Sequence, residues 1–375
     1  MDNAIFVQYG HFMKKIAIII DNISNKAGTE RAVSNLTNGL ISFYPKAYDI
    51  TIISIFTNPT ETSFYELNSS IKIIHLNKKE GFKLYNKIFW YNSFIKNIKS
   101  INNEYLFDVL MGTTYVHNIL LPIICKKTST KMIGCEHVTY HYPSKLIQKI
   151  RNYVYKRLDS LVVLSEEEQK FFNKLSNTFV IPNSLPFDSK IKSNQNNKTI
   201  IAVGRLTHQK GFSDLIHIFE KIHSVFRDWQ LIIFGEGEEY NHLLSIIENK
   251  NLTKVIKIHK NVQNISDFYQ KSSIFAQTSY TESFGLALLE AMNHGLAVIS
   301  YENEGAKKLI KPNINGLLVT LFDKDDYEKK LIQLIESKNF RFELANQAIE
   351  STSIYKEINI IPLWNKHIHS IIKKA

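Results

Sequence analysis

Residues 280–300 read YTESFGLALLEAMNHGLAVIS, and the folding of this stretch decides the architecture. A short helix is predicted to begin near Phe284, with Glu282 just outside its start and Glu290 nearly two turns in. Gly295 then closes the segment ahead of the β-branched run LAVIS. Loop, helix, strand is the repeating step of an α/β chain.

The same step recurs on both sides of it. Short apolar runs with the look of buried strands are KIAIII, DITIIS, IKIIHL, DVLMG, KMIGC, SLVVLS and TFVIP, then TIIAVG, QLIIFG, VIKIH, SIFAQ, LAVIS and GLLVT. Many lead into segments with helical apolar spacing, such as GTERAVSNLTNGLISF. The pattern breaks at 182–198, where PNSLPFDSKIKSNQNNK collects prolines and polar residues. Two Rossmann-like, doubly wound parallel-sheet domains are therefore expected, at 14–182 and 198–355, facing a central cleft. Residues 356–375 are expected to form a final helix returning toward the first domain, and residues 1–12 a loose tail. At 375 residues the chain has the length for two cores.

Composition narrows the function classes. Charged residues make up 22% and hydrophobic ones 44%, ordinary values for a globular protein, and IAIII is far too short to span a bilayer. Lys14-Lys15 ahead of it lacks the cleavage site of a signal peptide, so a cytoplasmic location is expected. Cys125 and Cys135 are too few for a disulfide framework and lack metal-ligand spacing. The net charge of +11 is uneven: residues 1–185 carry 22 Lys/Arg against 14 Asp/Glu, the remainder 24 against 21. A basic first half suits an anionic partner: nucleic acid, a membrane surface or a phosphorylated substrate.

Four loops at predicted strand ends carry the chemistry. In Ala27-Gly28-Thr29-Glu30-Arg31, Gly28 would let a ligand approach free backbone amides. In VGRLTHQKGFSDLI, Gly204 ends a strand, and Arg205 and Lys210 supply two cations suited to a diphosphate and its departing charge. At the quoted stretch, the helix start leaves amides unpaired at Gly285 and Leu286, beside Glu282. Glu290 lies about 9 Å along from Phe284, at about 1.5 Å per residue, a reach that suits the ribose of a nucleotide sugar, so the two acids can bracket one ligand. After KMIGC, His137 sits where a strand edge meets the cleft, and could bond a sugar hydroxyl. His141 four residues on would need a helix to share a metal, and Pro143 argues against one. DKDD at 323–326 reads as a helix N-cap. The first strand's loop lacks Gly-x-Gly-x-x-Gly, and no strand–helix junction carries a P-loop, which sets aside nicotinamide dehydrogenases and P-loop ATPases.

With these residues in place, the chain from about residue 14 resembles the retaining glycosyltransferases of family four, which have the GT-B fold. Glu282-x7-Glu290 with Phe284-Gly285, preceded by VGRLTHQKG and FGEGEEY, carries the resemblance, together with LDSLVVLS and VIPNS. It implies an acceptor-binding first domain and a donor-binding second one. It further implies that Gly28 approaches the donor diphosphate while Arg205 and Lys210 neutralise it. Glu282, Ser283 and the amides at Phe284, Gly285 and Leu286 would hold the transferred sugar, and Glu290 the ribose. Gly204, Gly235 of FGEGEEY and Val262, near the base, complete the implied donor site, with His137 on the catalytic side. No metal and no cofactor is implied, the nucleotide sugar being a substrate. Ala27-Gly28 departs from the two glycines of many members. The resemblance is to bacterial enzymes of surface polysaccharide (capsule, lipopolysaccharide) and lipid-linked oligosaccharide assembly, which commonly use uridine diphosphate sugars. A GT-B sugar-nucleotide epimerase, a phosphorylase or a non-catalytic nucleotide-sugar binder are the alternatives; a nucleic-acid binder would leave the second-half loops unexplained.

The basic first half then suggests peripheral contact with an anionic membrane, at the cytoplasmic face of the inner membrane. SKLIQKIRNYVYKRL places Leu146, Ile147, Ile150, Tyr153, Val154 and Leu158 on one helical face, expected to pack mostly on its own domain. Lys145, Lys149, Arg151, Lys156 and Arg157 are its cations, directed at membrane or acceptor. FKLYNKIFWYNSFIKNIKS mixes aromatics and lysines in the same way.

Overall fold

Strand β1 (Lys14–Ile20) is apolar from Ile16 onward and buried on both faces, as the centre of a parallel sheet must be. It belongs to a computed structural model that describes residues 13–77, 86–175, 177–185, 189–260, 262 and 264–373. The expected tail at 1–12, and residues 82–85 of the second basic segment, lie outside the described residues.

All thirteen runs predicted as strands form strands. In the first half these are β1, β2 (Tyr48–Ser54), β3 (Lys72–His75), β4 (Val109–Gly112), β5 (Lys131–Cys135), β6 (Ser160–Val163) and β7 (Thr178–Val180). The second half has β8 (Thr199–Val203), β9 (Gln230–Phe234), β10 (Ile256–His259), β11 (Ile274–Gln277), β12 (Ala297–Tyr301) and β13 (Leu317–Val319). Between them run α1 (Gly28–Phe43), α2 (Asn86–Tyr105), α3 (Tyr115–Ile124), α4 (Lys145–Val154) and α5 (Glu166–Phe171). Then follow α6 (Phe212–Val225), α7 (Tyr240–Asn249), α8 (Ser266–Gln270), α9 (Leu286–Asn293) and α10 (Glu304–Leu309). α11 (Lys324–Glu336), α12 (Lys338–Ser351) and α13 (Glu357–Lys373) complete the chain. Asp323 caps α11 by accepting from the Asp326 amide at 2.9 Å, which is the role read for DKDD.

The strands form two all-parallel sheets, ordered β3-β2-β1-β4-β5-β6-β7 and β10-β9-β8-β11-β12-β13. In each, the order reverses beside the first strand, at β1/β4 and at β8/β11. Register is continuous across the first reversal, Ile16 pairing with Ile50 on one side and Val109 on the other. Loops leaving the C-terminal ends at such switch points diverge, and the crevice between them is where open α/β sheets bind ligands.

α13 packs on the first sheet's layer: Ile360, Ile361, Trp364 and Ile368 share a core with Ile16, Ile18 and Leu40. His367 Nε2 lies 2.7 Å from the Ser160 hydroxyl, and Asn365 accepts from Tyr48 at 2.5 Å. A second core joins the halves, placing Ala32, Leu164 and Leu185 among α9 residues such as Leu286 and Leu289.

The α1–α13 crossing depends on a missing side chain. A Cβ at Gly39 would lie 2.7 Å from Ile361 Cγ1 and nearer still to Cδ1. Gly39→Ala is therefore expected to destabilise the protein by about 1–3 kcal/mol, outweighing the helix propensity it gains. In a double-mutant cycle by chemical denaturation, Gly39→Ala with Ile361→Ala should cost less than the sum of the single changes. Strict additivity would show that the helices do not meet at this point.

Candidate active site

The loops at the two switch points enclose a cleft of about 1520 Å³, part of it open to solvent, lined from both halves of the chain. On the second-half wall, the turn after β8 carries Arg205 and Lys210, and the loop after β11 carries Glu282. Lys210 Nζ sits on the Glu282 carboxylate, each side chain 16% exposed. Ser279 donates to the same carboxylate at 3.2 Å. The two loops are stitched together by the Tyr280 amide to the Gln209 carbonyl at 2.8 Å and the Thr278 hydroxyl to the Lys210 carbonyl at 3.2 Å. Arg205 is exposed at the same wall.

α9 starts two residues later than its apolar pattern suggested. Gly285 is its N-cap, at φ +86°, a left-handed conformation that costs glycine little and other residues more. The helix therefore opens with Leu286 and Ala287 on the cleft wall, where first-turn amides have no intrahelical acceptor. Phe284 anchors this turn beneath, its ring 5.7 Å from that of Tyr355.

Glu290 is buried, as its one-per-cent exposure shows, yet it reaches the cleft. Tyr269 donates to its Oε2 at 3.4 Å, and Arg31 Nε of α1 lies 3.0 Å from Oε1. Burial raises the Glu290 carboxyl's pKa, and the Arg31 charge opposes that rise.

The first-half wall begins at Gly28, where a Cβ would meet no protein atom within 4 Å, so the space beside it is cleft. His137 follows β5, partly buried; desolvation pushes its imidazole down to about 4, leaving it neutral at physiological pH. Its carbonyl accepts from the Ser283 hydroxyl at 2.6 Å, across the cleft. Gly28, His137, Gly204, Arg205, Lys210, Val262, Glu282, Ser283, Phe284, Gly285, Leu286 and Glu290 thus share one cleft. Among the described residues, no three His, Cys, Asp or Glu converge to hold a metal ion.

Gly235 is a correction. It is not among the residues lining the cleft, and a Cβ there would collide with the Gly204 carbonyl. It is a spacer that lets the ends of β8 and β9 approach.

Arg151 is a second correction. It is fully buried, not a surface cation. The cause is Glu136, buried at the end of β5 and in need of a counter-charge. Arg151 stands 3.4 Å from Glu136 Oε2, donates to the Tyr140 carbonyl at 2.9 Å and stacks on the Tyr140 and Phe172 rings. Tyr155 and Asn118 donate to the other carboxylate oxygen.

The face expected to pack on its own domain does so only in part: Leu158 is buried and Ile147 and Val154 are half-buried, while the rest turns outward. Leu146 and Tyr153 are 67% and 63% exposed, and Ile150 faces solvent with them, beside exposed Lys145, Lys149, Lys156 and Arg157. Helix geometry also ends at Val154, a 3-10 turn carrying Tyr155–Arg157. In the second basic segment, Phe89 and Tyr91 of α2 are exposed.

Several cleft residues escaped the sequence reading. Arg31 lay one turn beyond Gly28, and its position at a helix start beside a cleft loop was the available signal. Lys26, which pairs with Glu236 across the cleft at 2.7 Å, and Tyr65, under the Arg31 guanidinium at 5.2 Å, had none.

A family model described as "Glycosyl transferases group 1" matches residues 186–351. The chain is 30% identical over 364 residues to the amylovoran biosynthesis glycosyltransferase AmsD of Erwinia amylovora, covering 94% of this chain and 99% of that one. It is 28% identical to the α-1,4-N-acetyl-D-galactosaminyltransferase of Campylobacter jejuni that acts on a diNAcBac-PP-undecaprenol-linked saccharide, covering 96% and 99%. Among solved structures, the pneumococcal O-GlcNAc transferase GtfA with UDP and GlcNAc superimposes with a TM-score of 0.79 at 13% identity, covering 96% of this chain and 100% of that one. Sucrose-phosphate synthase of Thermosynechococcus elongatus does so with 0.81 at 17%, covering 96% and 100%. These two share the fold, and the relatives matched over their whole length supply the family: the chain belongs to the group 1, family four glycosyltransferases of GT-B fold.

Proposed function

We propose that the protein transfers a hexosyl or N-acetylhexosaminyl group, with retention, from a uridine diphosphate sugar to a glycan or lipid-linked glycan in surface polysaccharide assembly. The observation that carries this reading is Lys210 paired with Glu282 at the mouth of α9, with Arg205 on the same wall. The named acceptors of the Campylobacter relative and the UDP bound to GtfA support the choice of substrates.

Each group has a part. Lys210 and Arg205 offset the diphosphate charge, which grows as the anomeric C–O bond breaks. The α9 amides and Glu282 hold the transferred sugar, Glu282 accepting from its hydroxyls, and Glu290 accepts from the ribose. Neutral His137 bonds a hydroxyl without adding a charge. The acceptor oxygen bonds to the anomeric carbon on the face the diphosphate leaves. Its proton passes to the departing phosphate oxygen, so the step balances without a protein nucleophile.

Lys210→Ala should lower turnover by about two orders of magnitude or more, since such a contact to developing charge is worth roughly 3 kcal/mol. Circular dichroism should be unchanged; normal turnover with the accepted donor would remove the diphosphate assignment. The two cations also make a divalent ion unnecessary. Transfer assayed in excess chelator should persist, and loss restored by magnesium or manganese would overturn the metal-free step.

The exposed α4 stripe supports peripheral attachment to an anionic bilayer, each cation contributing about 1 kcal/mol near the surface. Flotation with anionic liposomes should show binding that weakens as salt rises, and little binding to neutral ones. Replacing Lys145, Lys149, Lys156 and Arg157 with Gln should abolish it while leaving UDP affinity unchanged. No flotation at low salt would point to a soluble glycan acceptor.

A further inference from the structure

The carboxylate proposed to grip the ribose is already held by a residue from the opposite wall. Glu290 projects from α9 in the second half of the chain, and Arg31 comes from α1 in the first, with Nε 3.0 Å from Oε1. Arg31 is itself held in place, its guanidinium 5.2 Å over the Tyr65 ring, and Tyr65 also lines the cleft. On the far side, Tyr269 of α8 fixes Oε2. The carboxylate is thus flanked on both sides, by the Tyr269 hydrogen bond and by an ion pair supplied across the cleft.

We propose that Arg31 is a positioning residue that fixes the Glu290 carboxylate for the ribose hydroxyls, and so makes nucleoside recognition depend on the two walls being together. This rests on the reading above that Glu290 binds the ribose. A carboxylate accepts from two adjacent hydroxyls, whereas a protonated carboxyl has lost part of that capacity. Burial favours the protonated form and Arg31 opposes it, so loss of Arg31 lets Glu290 take up a proton at higher pH.

Of the other groups facing the pair, only Glu30 changes charge in the working range. Desolvation pushes the Tyr65 phenol up to about 12 and that of Tyr269 well above its usual value, so both stay neutral hydroxyls. Desolvation pushes His294, at the end of α9, down to about 4, where it is neutral too. Glu30, on α1 and near Tyr65, is pushed up to about 7 by burial. It titrates in the working range, and a Glu30→Gln control separates its contribution.

The sign of the pH dependence follows. Ribose binding is present where Glu290 is ionised and fades as pH falls through its pKa. Removing Arg31 raises that pKa and moves the loss toward alkaline pH.

The test is calorimetric titration of the full chain with UDP and with its 2′-deoxy analogue, across mildly acid to mildly alkaline pH. The variants are Arg31→Gln, Arg31→Lys, Glu290→Gln and Glu30→Gln. Arg31→Gln should weaken UDP binding roughly tenfold at neutral pH, one charge-assisted contact's worth. It should also narrow the preference for UDP over deoxy-UDP and shift the acid loss of affinity upward. Arg31→Lys should restore part of each, and Glu30→Gln should leave the Arg31-dependent shift in place. If Glu290→Gln binds UDP as tightly as the unmodified protein, the ribose reading itself fails. If Glu290→Gln weakens binding while Arg31→Gln keeps the ribose preference and pH profile, Arg31 only fastens the walls and the proposal is overturned.

Discussion

A carboxylate taken out of water must be answered by a cation or lose its charge, and this constraint organises the cleft. Glu136 is met by Arg151 at 3.4 Å, Glu168 by Lys308 at 3.2 Å, Glu290 by Arg31 at 3.0 Å, and Glu282 by Lys210. Two of these pairs, at Glu168 and Glu290, join residues from opposite halves of the chain. Removing one partner of a buried pair costs about 3–5 kcal/mol, because the survivor is stranded. The relative placement of the walls is therefore held by electrostatics as well as by the apolar cluster around Ala32, Leu164 and α9. Lys308 adds to this by donating to the Ser283 carbonyl at 2.6 Å, while the Ser283 hydroxyl bonds the His137 carbonyl. Ser283, three residues ahead of α9, is thus tied to both walls.

The fold was readable because its signal is local. Runs such as KIAIII and LAVIS are short, apolar and bounded by turn residues, and every strand anticipated in this way forms. The cleft loops were readable for a related reason: glycine and paired charges at strand ends are local features. What could not be read was which charged side chains turn inward. Arg151 and Lys149 look alike in KLIQKIRNYV, yet one is buried and the other exposed. The difference lies in Glu136 beneath the helix, fifteen residues away along the chain. Arg31 is the same case at longer range, its partner Glu290 being reached only when the two sheets face each other. Gly235 misled in the opposite direction, since a glycine after a strand reads as ligand approach whether the close neighbour is a ligand or the Gly204 carbonyl.

The same accounting explains how α4 can keep apolar residues in water. Helices usually hold to a domain by burying their apolar stripe. Here Leu146, Ile150 and Tyr153 point outward and only Ile147, Val154 and Leu158 turn inward, so that contribution is reduced. Attachment falls to the polar cluster instead: Arg151 on Glu136, the ring faces of Tyr140 and Phe172 against the guanidinium, and Tyr155 closing on the carboxylate. Glu136 directly precedes His137, so the helix that presents the outward stripe is rooted one residue from the cleft wall. Through Glu136, the outward stripe is held at a fixed position relative to His137.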